Sequence, residues 1–222
     1  RVVRGRPLVT LKVAASLDGR TAAHSGDSKW ITGEPARRFG HLLRVSHDAI
    51  MVGSGTALAD DPSLTCRLPG LETASPTRIV VDSGLRLATN SNLAKTARDV
   101  PTWVVCGEAC DTSRRKALED VGAEVMEVRR GPDGRLVLDA VLSALGEQGV
   151  TRLLVEGGAA LATGLLREEL VDRLAWFAAP MMIGEEGLAS VAGLGIEKVS
   201  DAARWRVMAR RSWQDDNLVM LS

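Results

Sequence analysis

Short apolar runs alternate with amphipathic stretches along most of this 222-residue chain, and no other feature narrows the fold as much. Asp48 to Gly53 carries Ala49-Ile50-Met51-Val52, four apolar residues in succession, the mark of a strand covered on both faces. Arg78 to Asp82, Thr102 to Val105, Glu124 to Val128, Arg152 to Val155 and Leu174 to Ala179 read as further strands. Helices are expected from Thr32 to Arg44 (with Pro35 in the first turn), Ser113 to Val121, Asp139 to Leu145 and Ala159 to Leu170. The last of these lines up Leu161, Leu165, Leu166 and Leu170 as its apolar stripe. Leu8 to Ser16 alternates with period two and ends at Asp18-Gly19, so it is read as a strand followed by a turn. Trp205 to Ser212 and Leu218 to Leu221, around Gln214-Asp215-Asp216-Asn217, read as an antiparallel hairpin. The expected class is α/β, a mostly parallel sheet flanked by helices with a C-terminal antiparallel hairpin. No repeat or Pro/Gly/Ser-rich linker divides the chain, so one domain is expected over residues 1–222.

Composition enters by exclusion. Lys plus Arg and Asp plus Glu number 28 each, giving no net charge, whereas a nucleic-acid or polybasic membrane-surface binder needs a dominant positive field. Five Trp, two Phe and no Tyr are too few for base-stacking platforms. Cys66, Cys106 and Cys110 do not form a secreted disulfide framework. With only His24, His41 and His47 beside them, they also lack zinc-site spacing, so no metal is expected. No apolar run reaches membrane-spanning length, and the basic opening Arg1-Val2-Val3-Arg4 leads into no signal core, so a cytoplasmic location is expected. The chain opens on Arg rather than Met, which suits a processed protein or a piece of a longer one.

Local chemistry concentrates at strand ends. Glu156-Gly157-Gly158 lies between an apolar strand and a helix, where glycines let the backbone approach a ligand and the helix start offers N–H groups to a phosphate. A tight βα turn explains the same residues. Gly53-Ser54-Gly55-Thr56 is a second flexible segment after a buried strand. Asp60-Asp61-Pro62 is either an Asx-type turn or, without companion ligands, a poor metal site. Trp30 is either core packing or a pocket wall. Lys12, on one face of the first strand with Ala14, either meets solvent at an edge or faces a site. The GxSxG, HExxH and Walker A patterns are all missing from the sequence, which favours chemistry carried by a bound cofactor, such as hydride transfer.

Lys12-Val13-Ala14-Ala15-Ser16-Leu17-Asp18-Gly19-Arg20-Thr21-Ala22 and Gly26-Asp27-Ser28-Lys29-Trp30-Ile31-Thr32 closely resemble the start of one known domain. It is the reductase domain of bacterial riboflavin-biosynthesis deaminase–reductases. The resemblance continues through Arg44, Asp48-Ala49-Ile50, Gly53 to Thr56, Ala59 to Pro62, Leu64-Thr65, Arg67, Val155 to Gly158, Leu170 to Asp172 and Ala179-Pro180. It implies a dihydrofolate-reductase-like fold with a twisted sheet, usually a homodimer. It also implies NADPH-dependent reduction of 5-amino-6-(5-phosphoribosylamino)uracil to the ribitylamino compound, by hydride transfer to C1′. Carried over by position, Ala14, Trp30, Thr56 and Asp60 resemble nicotinamide and ribose contacts. Gly157, Gly158, Ala159, Ala160 and Leu161, in a stretch running on to Gly164, resemble the pyrophosphate turn. Ser83 resembles the position near the adenosine 2′-phosphate, with Arg86 a candidate charge partner. Lys12, Ser28, Arg44, Leu64, Arg67 and Glu156 resemble the substrate side, the arginines suiting a sugar phosphate and Lys12 and Glu156 the pyrimidine edges. Asp60, Lys12 and Glu156 are the catalytic candidates, Asp60 nearest the proton movements of ring opening.

The chain departs from the family in having no H-x-E…P-C-x-x-C deaminase signature. No zinc and no deamination are therefore expected of it, with a deaminase domain fused or associated upstream as one arrangement. Three other readings stay open: a stand-alone reductase of the undeaminated 2,5-diamino substrate, a pterin reductase, and a non-catalytic nucleotide-binding protein.

Overall fold

The structure, a computed structural model, describes residues 5–222; the basic opening Arg1–Arg4 lies outside them. The first half of the chain carries β1 (Leu8–Ser16), β2 (Arg20–Ala22), α1 (Glu34–Val45), β3 (Ala49–Gly53), α2 (Ser54–Asp60), β4 (Thr77–Val81), α3 (Asn92–Lys95) and β5 (Thr102–Gly107). The second half carries α4 (Thr112–Asp120), β6 (Glu124–Val128), α5 (Leu138–Glu147), β7 (Arg152–Val155), α6 (Ala159–Arg167), β8 (Arg173–Ala179), β9 (Leu188–Ala189), β10 (Val207–Trp213) and β11 (Asp216–Leu221). These elements gather into two compact units, one of residues 5–8 and 41–158, the other of residues 9–40 and 159–222.

In the first unit five parallel strands lie in the order β7-β3-β4-β5-β6. Ala49 to Val52, Ile79 and Val80, Val104 to Cys106, and Leu153 to Val155 are all buried, as unbroken apolar runs require. Each such Val, Ile or Leu contributes about 1.5–3 kcal/mol through burial. Asp48 ties the starts of two strands together: its carboxylate accepts from the Thr151 N–H at 2.8 Å, the Thr151 hydroxyl at 2.5 Å and the Arg152 N–H at 2.7 Å. In the second unit β1 runs parallel to β8, β8 pairs antiparallel with β11, and β11 with β10. β2 and β9 form a separate antiparallel pair.

The structure differs from the sequence reading at several places, three of which bear on the fold. Ser54–Asp60 is a helix where a flexible segment was expected; Pro62 disfavours helical backbone at Asp61, which turns to φ 39° and ends it. The C-terminal hairpin turns on two residues rather than four, since Trp213 pairs with Asp216 and Gln214 takes φ 51°. The β2–β9 pair joins segments whose sequences carry no strand signal of their own. No helix among the described residues is long and apolar enough to cross a membrane.

Asp18 anchors the turn after β1, accepting from the Ser16 hydroxyl at 2.5 Å, the Gly184 N–H at 2.7 Å and the Ile183 N–H at 3.2 Å. Led by the Ser16 bond, these hold its carboxyl down at about 2. A carboxylate that titrates lower when folded contributes stability that is complete above its unfolded value near 3.8 and is lost as pH falls through about 2. Thermal unfolding of the wild type is expected to weaken between about pH 4 and pH 2 more than that of Asp18→Asn. Parallel melting curves across that window would contradict the anchoring role.

Candidate active site

β3 and β7 are neighbours, so the chain segments leaving their C-terminal ends meet. After β7 the Glu156 N–H still bonds the Met51 carbonyl at 3.0 Å, then Gly157 and Gly158 turn with φ +151° and +86°. A Cβ at either glycine would lie 3.4 Å or 3.3 Å from the Thr56 hydroxyl oxygen. Backbone therefore packs directly on the first turn of α2, and a left-handed φ at Gly158 favours glycine a second time. No side chain caps α2, because its N-cap is Gly53, so its first N–H groups have no partner from a capping side chain. Thr56 and Asp60, four residues apart, share one face of α2, Asp60 being exposed.

The loop after α2 is held in place at successive residues. Asn92 donates to the Asp61 carboxylate and carbonyl at 2.7 and 2.8 Å. Arg78 donates to the Ser63 carbonyl at 3.2 Å, and the Ser75 hydroxyl accepts from the Cys66 N–H at 3.0 Å. Leu64 is buried with φ 52°, while Arg67 is exposed. From α1, Arg44 grips Glu156 in a two-pronged pair, Nε to Oε1 at 2.8 Å and Nη2 to Oε2 at 2.9 Å, and donates from Nη1 to the Thr65 carbonyl at 2.7 Å. Burial pulls the Arg44 guanidinium down, but the Glu156 carboxylate more than offsets this and leaves it raised. His41, one helical turn before Arg44, accepts the Arg67 N–H on Nδ1 at 3.4 Å.

A third corner follows β4. Asp82 is buried and accepts from the Arg86 and Leu87 N–H groups at 2.5 and 2.8 Å. The Arg86 guanidinium donates to the Ser54 hydroxyl at 2.5 Å. Arg130 donates to the Ser83 carbonyl at 2.5 Å and Arg114 to the Gly84 carbonyl at 3.1 Å. Three guanidiniums thus surround the Ser83-Gly84 turn, beside a cavity of about 310 Å³ lined in part by Leu85, Arg86, Leu87, Arg114 and Leu118. The sequence holds no local signal for Arg114 or Arg130, which reach this turn from 30 and 47 residues away.

In the other unit Lys12 and Ala14 share one face of β1 and are its only partly exposed residues. Lys12 Nζ stands 5.7 Å from the Phe177 ring centre, and Ala14 lies beside Phe177 in register. Trp30 is 61% exposed with Arg37 stacked at 4.3 Å, which rules out the core-packing alternative. Ser28 is half-buried in the same loop. Ala159, Ala160 and Leu161 open α6, Leu161 turning its side chain into the core.

A family model described as the RibD C-terminal domain matches residues 7–220. The chain belongs to the RibD C-terminal domain family. It is 39% identical over 198 residues to riboflavin biosynthesis protein RibD of Bacillus amyloliquefaciens, a match covering 89% of this chain and 52% of that protein. The chain spans about half the length of the curated relatives it matches. A solved Thermotoga maritima structure superposes with a TM-score of 0.78 at 28% identity, over 99% of this chain and 57% of that one. It is described as a diaminohydroxyphosphoribosylaminopyrimidine deaminase/5-amino-6-(5-phosphoribosylamino)uracil reductase. Dihydrofolate reductase from Enterococcus faecalis, solved with NADP(H), gives 0.54 at 13% identity over 98% of this chain and 96% of that one, a likeness of fold.

The dihydrofolate-reductase-like fold expected from the sequence therefore holds for this RibD C-terminal domain, with its mostly parallel sheet, flanking helices and C-terminal antiparallel strands. Of the residues singled out in its sequence, Arg44, Thr56, Asp60, Leu64, Arg67, Ser83, Glu156, Gly157 and Gly158 sit in the unit of residues 41–158. Lys12, Ala14, Ser28, Trp30 and Ala159 to Leu161 belong to the other.

Proposed function

We propose that residues 1–222 act as one NADPH-dependent reductase domain. The reaction reduces the ribosyl group of 5-amino-6-(5-phosphoribosylamino)uracil to the ribityl chain, in keeping with the Thermotoga maritima relative's description as a reductase of that uracil. The observation that carries this reading is the diglycine turn packed on Thr56. Its backbone packs closely on Thr56 with positive φ at both glycines, an open peptide surface at a strand end that fits a dinucleotide pyrophosphate. Gly157 and Gly158 with the N–H groups of Ala159 to Leu161 would hold that pyrophosphate. Thr56, Ala14 and Trp30 would hold the nicotinamide side, and Ser83 with Arg86 the adenosine 2′-phosphate. When bound, NADPH supplies the hydride.

The protein's own residues then have distinct tasks. Arg67 presents an exposed guanidinium to the substrate phosphate, and Arg44 fixes the Glu156 carboxylate toward the amino edge of the pyrimidine. Lys12 serves the carbonyl edge, with Ser28 and Leu64 completing the substrate side. Asp60, exposed one turn beyond Thr56, is the group for proton movement as the ribose ring opens. Positioning and charge complementarity carry the rate, since no covalent nucleophile is needed. The same reading takes the domain to work as a cytoplasmic homodimer, without zinc or deamination of its own and with a deaminase domain fused or associated upstream.

The deciding experiment follows NADPH oxidation with the ribosylamino-uracil phosphate, its undeaminated 2,5-diamino counterpart and dihydrofolate in parallel. Oxidation is expected with the first substrate; none with either riboflavin precursor overturns the reading. Gly158→Val tests the diglycine turn. It places a branched side chain at φ +86° and 3.3 Å from the Thr56 hydroxyl oxygen. NADPH affinity, titrated by fluorescence, is expected to fall about tenfold or more, the equivalent of one lost charge-assisted contact. Unchanged affinity would remove the pyrophosphate assignment.

A further inference from the structure

His41 is one of three histidines in the chain and lies on the face of α1 that carries Arg44. Its Nδ1 receives the Arg67 N–H at 3.4 Å, so that nitrogen must be unprotonated and the imidazole neutral. The residues before Arg67 are tied from other directions, Thr65 through its carbonyl to Arg44 and Cys66 through its N–H to Ser75. His41 is thus the tie that sets where the backbone of Arg67 stands, and with it where an exposed, flexible guanidinium begins.

We propose that neutral His41 is a positioning residue, holding Arg67 in place to receive the phosphorylated end of the substrate. The assignment rests on the proposed role of Arg67 in phosphate binding. Three charged groups face the imidazole: Arg44 from α1, Arg67 from the loop and Glu156 from the end of β7. Burial first, then Arg44 and Arg67, push its titration below the ordinary 6.5, while Glu156 and the Thr65 backbone pull the other way with less effect. The neutral ring that the hydrogen bond requires is therefore the form present at neutral pH. Acid converts Nδ1 from acceptor to donor and adds a third cation beside two arginines, so the tie opens as pH falls.

Two variants separate positioning from mere packing. His41→Asn keeps a neutral acceptor where Nδ1 stands; His41→Leu keeps bulk and removes the acceptor. At neutral pH, His41→Leu is expected to raise KM for the phosphorylated substrate about 2- to 10-fold with kcat little changed, the range of one neutral hydrogen bond. His41→Asn should stay near the wild type. Toward acid, KM of the wild type should climb more steeply than that of His41→Asn, since titration of the substrate phosphate is common to both. Ribose 5-phosphate binding by calorimetry should follow the same order, and His41→Ala takes the place of the leucine variant if that does not fold. Equal affinities of the asparagine and leucine variants, or identical acid limbs for the wild type and His41→Asn, would overturn the proposal. Absent turnover in the wild type would instead sink the reductase reading, leaving the calorimetric comparison to decide on His41.

Discussion

Replacing Glu156 with alanine is expected to destabilise the protein by about 3–5 kcal/mol, because it strands a buried guanidinium. The Arg44 and Glu156 side chains are only 14% and 8% exposed, so water screens their pair little. The surface pair Arg115–Glu119 has the same 2.8 Å separation but is 37% and 43% exposed, and breaking it is expected to cost far less, because water and salt screen it. Burial, not distance, separates the two outcomes. Joint replacement, Arg44→Met with Glu156→Leu, should recover much of the loss, since two apolar groups need no charge partner. Activity should not return with stability, because the carboxylate assigned to the pyrimidine edge is gone. Urea unfolding of the single and double variants measures the first effect and NADPH oxidation the second. A loss under about 1 kcal/mol for Glu156→Ala would show that Arg44 finds other partners or water.

That pair also marks how far the sequence is legible. Ala49 to Val52 is readable as a strand because burial on both faces demands consecutive apolar residues, and local composition records that demand. Gly157-Gly158 is readable as a turn because the backbone geometry there disfavours other residues. The link between Arg44 and Glu156 spans 112 residues, and nothing near either residue announces it. Read alone, the two look like separate substrate contacts, when each side chain's first partner is the other. Arg114 and Arg130 escape notice for the same reason: they bond carbonyl oxygens of Ser83 and Gly84, groups present at every residue. The helix at Ser54–Asp60 is hidden differently. Gly53-Ser54-Gly55 has poor helix propensity, and the helix forms where it adjoins β3 and β4 and ends at Asp60, two residues before Pro62. Lys12 is an intermediate case. Its interruption of an apolar strand is visible, but the choice between solvent edge and site needs the Phe177 contact to narrow it.

Arg78→Met should also destabilise the protein, though the sequence shows only an arginine at the start of an apolar strand. Arg78 is fully buried. Its two terminal nitrogens turn four N–H groups on six acceptors, some of them shared: the carbonyls of Ser63, Leu93, Thr96 and Val100, and the hydroxyls of Thr96 and Thr102. Burial lowers its titration to about 10, with Asp99 opposing, so the group stays charged at neutral pH. Two effects compete when the arginine is removed. Losing a desolvated cation is favourable by several kcal/mol, while each acceptor left dry costs about 1–3 kcal/mol. The Thr96 carbonyl keeps the Asp99 and Val100 N–H groups and the Val100 carbonyl keeps the Thr102 hydroxyl, so the Leu93 carbonyl is the buried acceptor left dry. With the packing of a large buried side chain also lost, a net loss of about 1–3 kcal/mol is expected. Arg78→Lys should fall between, since an ammonium keeps the charge but has three donors and cannot span the same acceptors. The damage should also reach the site, because Ser63 directly precedes Leu64 and Thr65 in the loop that carries Arg67. Hydrogen exchange at the Leu64 to Arg67 amides is therefore expected to speed up in Arg78→Met more than exchange within β6, which makes no bond to Arg78. Uniform exchange across both segments, or a urea midpoint unchanged from the wild type, would show that the arginine neither stabilises the unit nor holds the loop.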